Sequence, residues 1–423
     1  MANGNRVGIL AGGGPAPGIN SVIGAATIRS VLSGAEVLGI QDGFEWLMQG
    51  DVGHVQPLTT TTVSRVHFRG GSIIGISRAN PTGDPALLRR CLDALLRLGV
   101  SQLITIGGDD TAFAAMKLLE ASAGRLRVVH VPKTIDNDLP LPPQVDTFGF
   151  QTARHVGVDI VKNLMTDAFA SSHWYLVVVM GRKAGHLALG VGKAAGATVT
   201  LIPEEFPEGT PFSTVVDTLA GAIIKRFSEG RRDGVAVIAE GVVLRSRMDG
   251  PELATIERDD YGNIRLAEID IGGMLKRGVA QRLETFGLRA TIEASSIGYE
   301  LRCADPIPYD MEYTRDLGYC AAKFLLEGGN AAMISLQAGR FRPLPFDQLL
   351  DPQTGRTRLR LVDLGSTRYA IARRYMIRLR RDDFSDPAQL AKLAATANLS
   401  PNDFRHQLEY LVETEPPPLV LGA

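Results

Sequence analysis

Two short motifs concentrate the chemistry of this chain. Gly107-Gly108-Asp109-Asp110-Thr111 sets two adjacent carboxylates behind a pair of glycines, and Pro132-Lys133-Thr134-Ile135-Asp136-Asn137-Asp138 sets one lysine among two more carboxylates. Glycines let backbone N–H groups come close to a phosphate. An aspartate beside such a turn is the hard oxygen ligand that Mg²⁺ takes together with phosphate oxygens, which makes Asp109 the candidate metal ligand. Asp136 is the candidate acceptor of a hydroxyl proton. Metal, cation, backbone donors and one base are the parts that phosphoryl transfer requires.

The flanking sequence places both motifs at the same edge of a sheet. Each follows a short apolar run, Leu103-Ile104-Thr105-Ile106 and Val128-Val129-His130-Val131, of the kind that buried parallel strands present. Ligands bind at strand carboxyl ends in open α/β sheets. Residues 85–99 carry Leu88, Cys91, Leu92, Leu95 and Leu96 at helical spacing, so strand, helix and strand follow in βαβ order. Residues 111–120 read as a helix whose N-terminus faces the phosphate site. Earlier, Val7-Gly8-Ile9-Leu10 leads into Ala11-Gly12-Gly13-Gly14-Pro15-Ala16-Pro17-Gly18, a strand and glycine loop before a helix to about Leu32. This loop matches neither the dinucleotide fingerprint nor the P-loop.

Further strand ends recur along the chain. A glycine-rich extended run from Gly70 closes on Arg78, and Leu139-Pro140-Leu141-Pro142-Pro143 must be a loop. Residues 150–170 read as a long helix, and Trp174-Tyr175-Leu176-Val177-Val178-Val179 as the strand that ends in Met180-Gly181-Arg182. An arginine suits the paired oxygens of a phosphate. Two more strand ends carry Glu204 and Glu240, of which Glu204 reads as structural. Residues 245–270 read as a polar surface excursion. Arg356, Arg358, Arg360, Arg368, Arg373, Arg374, Arg378, Arg380 and Arg381 crowd one late segment, which reads as a solvated helix face or subunit contact in preference to a site for an anionic effector.

Composition bounds the rest. At 423 residues the chain exceeds what one core supports, so two or more lobes with a cleft are expected. A formal charge of −1 gives no electrostatic case for nucleic acid. Cys91, Cys303 and Cys320 lie far apart without metal spacing, which reads as reduced thiols of a cytoplasmic protein. Neither a signal segment nor a membrane-spanning run is evident.

These motifs resemble the phosphofructokinase family, and within it the pyrophosphate-dependent branch. The resemblance runs from the first glycine loop to about Asp310. ATP-using members usually carry Gly-Gly-Asp-Gly where this chain has Gly-Gly-Asp-Asp, and many lack the lysine at Lys133. The resemblance implies an α/β protein of two Rossmann-like lobes with the active site in the cleft between them. Residues 1–150 would form the pyrophosphate and Mg²⁺ lobe and residues 151–340 the sugar-phosphate lobe, with a helix at 313–328 packing against the second. Residues 341–423 would be a partly helical extension on the core. By the same resemblance Asp109 carries Mg²⁺, Asp136 is the base, Lys133 and Arg78 neutralise the transferring oxygens, and Gly13 lines the diphosphate site. Thr134, Ile135, Asp136, Met180, Gly181, Arg182, Glu240, Tyr299, Glu300, Leu301 and Arg302 would surround fructose 6-phosphate. Asp110 reads either as a carboxylate that excludes a nucleotide's α-phosphate or as the N-cap of the helix behind it. A homodimer or homotetramer is implied, although His173 stands where many relatives have an arginine that reaches a neighbouring subunit's substrate.

Overall fold

The structure, a computed structural model, describes residues 6–247 and 269–421, so most of the expected surface excursion lies outside the described residues. The chain divides into two compact units. One comprises the chain up to Val156 together with Tyr299–Arg360, and the other comprises Gly157–Gly298 and the chain from Leu361. The expected boundaries at 150 and 340 therefore shift, and residues 299–340 return to the first unit. The reason is strand pairing: Ala332–Met333 adds in parallel to the edge of Arg127–Pro132.

The sheet of the first unit has seven strands in the order Leu344–Pro345, Ala332–Met333, Arg127–Pro132, Gln102–Gly107, Arg6–Ala11, Glu36–Ile40 and Val55–Leu58. Its centre is parallel and its two outermost strands run antiparallel. Val7, Ile9, Leu103, Ile104, Val128 and Val129 are fully buried, as strands covered on both faces must be. The chain passes from Arg6–Ala11 outward to Glu36–Ile40, then returns to the opposite side as Gln102–Gly107. That reversal makes a topological switch point, and the loops leaving its two strands are the first glycine loop and Gly107-Gly108.

Two helix contacts complete this unit. Pro308–Leu326 packs against Ile19–Val31, so closely that a Cβ on Gly318 would stand 2.4 Å from the Val22 carbonyl oxygen. The helix expected on the second lobe is thus part of the first. The helix Phe150–Ser171 is capped from a distance: buried Asp310 accepts hydrogen bonds from the Gly149 and Thr152 N–H groups at 3.0 and 2.7 Å and from the Thr152 hydroxyl at 2.6 Å. Those bonds satisfy N–H groups that a helix start leaves without partners.

The second unit holds a parallel four-stranded sheet in the order Thr291–Ile297, His173–Val179, Gly234–Ala239 and Val199–Leu201. Its C-terminal part is fastened to the rest by buried charge. Glu205 meets Arg373 at 3.2 Å and Arg378 at 2.7 Å, and Lys225 meets Asp383 at 2.6 Å. The arginine-rich segment is therefore no solvated face at these positions, because Arg373 and Arg378 answer a buried carboxylate. Arg380 Nη2 donates to the carbonyls of Arg373, Arg374 and Met376. Replacing Glu205 by alanine leaves two buried guanidinium groups uncompensated, and we expect a loss of about 3–5 kcal/mol. Denaturant unfolding of Glu205→Ala checks this, and a midpoint unchanged from wild type would show that the cluster is not structural. No helix among the described residues is long and apolar enough to cross a membrane.

Candidate active site

The two motifs that opened the sequence lie side by side on paired strands. Gly107 and Pro132 are register partners, and the Lys133 N–H donates to the Gly107 carbonyl at 2.8 Å. Thr111 is wedged against the strand end so tightly that a Cβ on Gly107 would stand 2.3 Å from the Thr111 Cβ, which requires glycine there. The helix Asp109–Ser122 begins two residues earlier than expected, with Gly108 as its N-cap. Asp109 and Asp110 are consequently its first two helical residues. Their negative charge faces the positive end of the helix dipole. Asp110 is exposed, and it is not the N-cap.

The first glycine loop joins them through Lys133. This lysine is buried, and its Nζ donates to the Gly14 carbonyl at 2.5 Å. The Gly13 N–H donates to the Ser77 carbonyl at 2.7 Å, so Gly13 offers a ligand its bare backbone surface and not this N–H. The same contact brings the chain entering Arg78, an exposed residue, alongside the loop. Arg302 also arrives here: its guanidinium carbon stands 3.1 Å from where a Cβ on Gly14 would lie. Arg302 and Tyr299 sit on the short helix Tyr299–Cys303, in which Leu301 is fully buried and Tyr299 is exposed. Ile135 is buried as well, so Ile135 and Leu301 can face a ligand only through their backbones.

The segment around Asp136 is stapled on all sides. The Asp136 N–H donates to Thr134 Oγ1 at 3.0 Å, and Asn137 takes a left-handed φ of 57°, which asparagine tolerates better than most residues. Asn137 Nδ2 donates to Asp146 at 2.8 Å, its Oδ1 accepts from the Thr147 N–H at 2.9 Å, and the Thr147 hydroxyl donates to the Thr134 carbonyl at 2.6 Å.

In the second unit, Met180, Gly181, Arg182 and Glu240 gather at adjacent strand ends. Gly181 has φ 135°, open to glycine, and its N–H donates to Glu240 Oε1 at 3.3 Å. The Glu240 N–H returns a bond to the Val179 carbonyl at 2.9 Å. Gly298, at the end of Thr291–Ile297, leaves room for the Met180 side chain, whose Cε is 2.5 Å from the place a Cβ would take. Glu204 accepts from the N–H groups of Gly185 and Val362, a structural task as expected.

This arrangement has a counterpart among known proteins: the family described as Phosphofructokinase matches residues 6–325. This chain belongs to the phosphofructokinase family. It is 51% identical over 416 residues to the pyrophosphate–fructose 6-phosphate 1-phosphotransferase of Thermotoga maritima, covering 96% of this chain and 99% of that one. It is 48% identical over 419 residues to the enzyme of the same name from Naegleria fowleri, covering 96% of each. The solved pyrophosphate-dependent phosphofructokinase from Nitrosospira multiformis superposes with a TM-score of 0.65 at 17% identity, over 99% of this chain and 95% of that one, and so shares the fold.

Within this phosphofructokinase-family chain, the donor set at Asp109 fits Mg²⁺. Among the described residues no cluster of three or more His, Cys, Asp or Glu could hold a metal by itself. Mg²⁺ characteristically binds one or two carboxylates and completes its shell with water and substrate phosphate, which is the set that Asp109 at a helix start can supply.

Lys133 is the electrostatic centre of the first unit's site. Burial, reinforced by the Arg302 charge, pulls its pKa from 10.5 down to about 7, against the opposing pull of Asp136, Asp109 and Asp138. Between about 7 and 10.5 the folded chain sheds this proton while the unfolded chain keeps it, so this group makes stability rise with pH across that window. An incoming anion favours the ammonium form. We therefore expect proton uptake on pyrophosphate binding about one pH unit above 7, measured by calorimetry in buffers of different ionisation enthalpy. Uptake equal in wild type and Lys133→Met would assign the proton to the ligand and refute this.

Sequence reasoning missed His130 and Arg360. His130 is buried, its Nε2 donates to the Gly107 carbonyl at 3.0 Å, and Nδ1 accepts from the Thr105 hydroxyl at 2.9 Å. Burial pushes its pKa down to about 3, so the ring is neutral. A histidine in an otherwise apolar strand run was the available signal.

Proposed function

We propose that this chain is a pyrophosphate-dependent phosphofructokinase, which reversibly transfers a phosphoryl group from diphosphate to the 1-hydroxyl of D-fructose 6-phosphate, giving fructose 1,6-bisphosphate and phosphate. The observation that carries this reading is the juxtaposition of the two motifs at paired strand ends, Gly107 opposite Pro132, with Lys133 Nζ on the first glycine loop. A buried cation in the field of Asp136, Asp109 and Asp138 suits a compact, highly charged donor.

Asp109 would hold Mg²⁺, which when bound neutralises phosphate oxygens. Lys133 and Arg78 stabilise charge on the transferring group, and Arg302 adds a third cation beside the first glycine loop. Asp136 takes the proton from the sugar hydroxyl as the new P–O bond forms. Met180, Gly181 and Arg182 hold the sugar phosphate, and Glu240 accepts hydrogen bonds from sugar hydroxyls. Because phosphoryl transfer demands positioning and charge neutralisation above all, these roles suffice. The protein acts in the cytoplasm as a homodimer or homotetramer. Free thiols at Cys91, Cys303 and Cys320 support a reducing compartment.

Steady-state kinetics on fructose 6-phosphate with each donor tests the reading. The expected result is a higher kcat/KM with pyrophosphate than with ATP, and preference for ATP would overturn it.

A further inference from the structure

The loop that follows Asp136 poses a hydrogen-bonding problem that its own sequence cannot solve. Pro140, Pro142 and Pro143 lack N–H groups and break any helix or strand, so the carbonyls between residues 137 and 145 have few local donors. Arg360, which lies beyond the family match ending at 325, supplies them. Its Nε donates to the Asn137 carbonyl at 3.0 Å, and Nη2 donates to Asn137 Oδ1. Nη1 donates to the carbonyls of Val145, Pro142 and Leu141 at 2.6, 3.2 and 3.3 Å. The Arg360 N–H adds a bond to the Asp138 carbonyl at 2.8 Å. One residue thus holds the two positions directly after Asp136 and the far side of the same loop.

The segment leading to Arg360 reaches the other motif too. Thr357 Oγ1 donates to the Asp109 carbonyl at 3.4 Å, and the Arg356 guanidinium lies over the Phe113 ring at 5.1 Å, on the helix that Asp109 begins. We propose that Arg360 is a positioning residue for phosphoryl transfer, fixing the Asp136 loop at its working geometry through its fork of donors, with the preceding segment seated on the Asp109 helix. Only a guanidinium fits the task. A lysine at this position keeps the charge but has three donors on one atom and cannot span Asn137 and Val145 together.

This inference rests on the reading of Asp136 as the base, and its test separates the two. Arg360→Ala is assayed beside wild type and Arg360→Lys with both donors, with thermal unfolding measured on each protein. A reacting group displaced by about 1 Å typically loses roughly 10²-fold in rate. We expect kcat of Arg360→Ala to fall by about that factor with KM for both substrates nearly unchanged, Arg360→Lys to fall between, and added guanidinium ion at non-denaturing concentration to restore part of the lost kcat in the alanine variant. Wild-type kcat in Arg360→Ala, a loss matched by the unfolded fraction, or no recovery with guanidinium while wild type is unaffected would each overturn the proposal. Asp136→Ser is assayed in parallel: near-normal kcat there would overturn the reading of Asp136 as the base, whereas a loss in Asp136→Ser with wild-type kcat in Arg360→Ala would overturn the Arg360 proposal alone.

Discussion

Asp136→Ser lowers kcat by roughly 10²–10⁴-fold while the KM for fructose 6-phosphate changes little. The reason lies in how the loop is held. The Asp136 N–H is bonded to Thr134 Oγ1, and Asn137, Thr147 and Arg360 fix the residues around it. Serine therefore leaves the loop in place and removes the proton acceptor. An interaction made only in the transition state lowers kcat and kcat/KM together. Single-turnover and steady-state rates with pyrophosphate check it, and near-normal kcat in the serine variant would remove Asp136 from the role of base.

Asp110→Gly admits ATP. Asp110 is the second residue of the helix Asp109–Ser122, exposed and one position beyond the candidate metal ligand. Two unit charges about 4 Å apart at an effective dielectric near 20 repel by about 4 kcal/mol, which suppresses a nucleotide's α-phosphate roughly a thousandfold. Glycine removes that charge. The reading of Asp110 as a helix cap would leave donor choice untouched, but the cap is Gly108, with no side-chain bond. Losing an acid from the first turn costs about 0.3–1 kcal/mol of helix-dipole stabilisation, small beside the effect on binding. Lys133→Gly slows the pyrophosphate reaction, because the buried ammonium on the Gly14 carbonyl is lost, and the double variant shifts preference towards ATP. The kcat/KM for both donors in the three variants decides this. An unaltered ATP value in Asp110→Gly would end the donor-gate account.

What the sequence made legible followed from local signals. The apolar runs before Gly107 and Pro132 announced buried parallel strands, and the helices at 85–97 and 150–171 followed their own periodicity and Pro and Gly boundaries. The motifs at the strand ends, each a contiguous stretch, could be read one by one. What stayed hidden was long-range. Nothing local connects Arg360 with Asn137, Asp310 with the start of a helix at Phe150, or Glu205 with Arg373 and Arg378, since each bond joins residues more than 150 positions apart. An arginine looks the same in a solvated helix as in a knot of orphan carbonyls. The division into units failed to show for a similar reason: a two-residue strand at Ala332–Met333 gives no periodic signal, yet its pairing decides where the return segment belongs.

That return segment sets an order of assembly. Ribosomes release the chain from its N-terminus, and domains ordinarily fold as they emerge. Here the sheet begun by Arg6–Ala11 stays unfinished until Ala332–Met333 and Leu344–Pro345 have been made, by which time all four strands of the other sheet, the last of them Thr291–Ile297, are already available. The part of the protein synthesised first is thus completed after the sheet synthesised second. During that interval the apolar edge of Arg127–Pro132 has no neighbour on one side, an unpaired strand of the kind that invites association with other chains. Shortening the chain before residue 332 would make that passing vulnerability permanent.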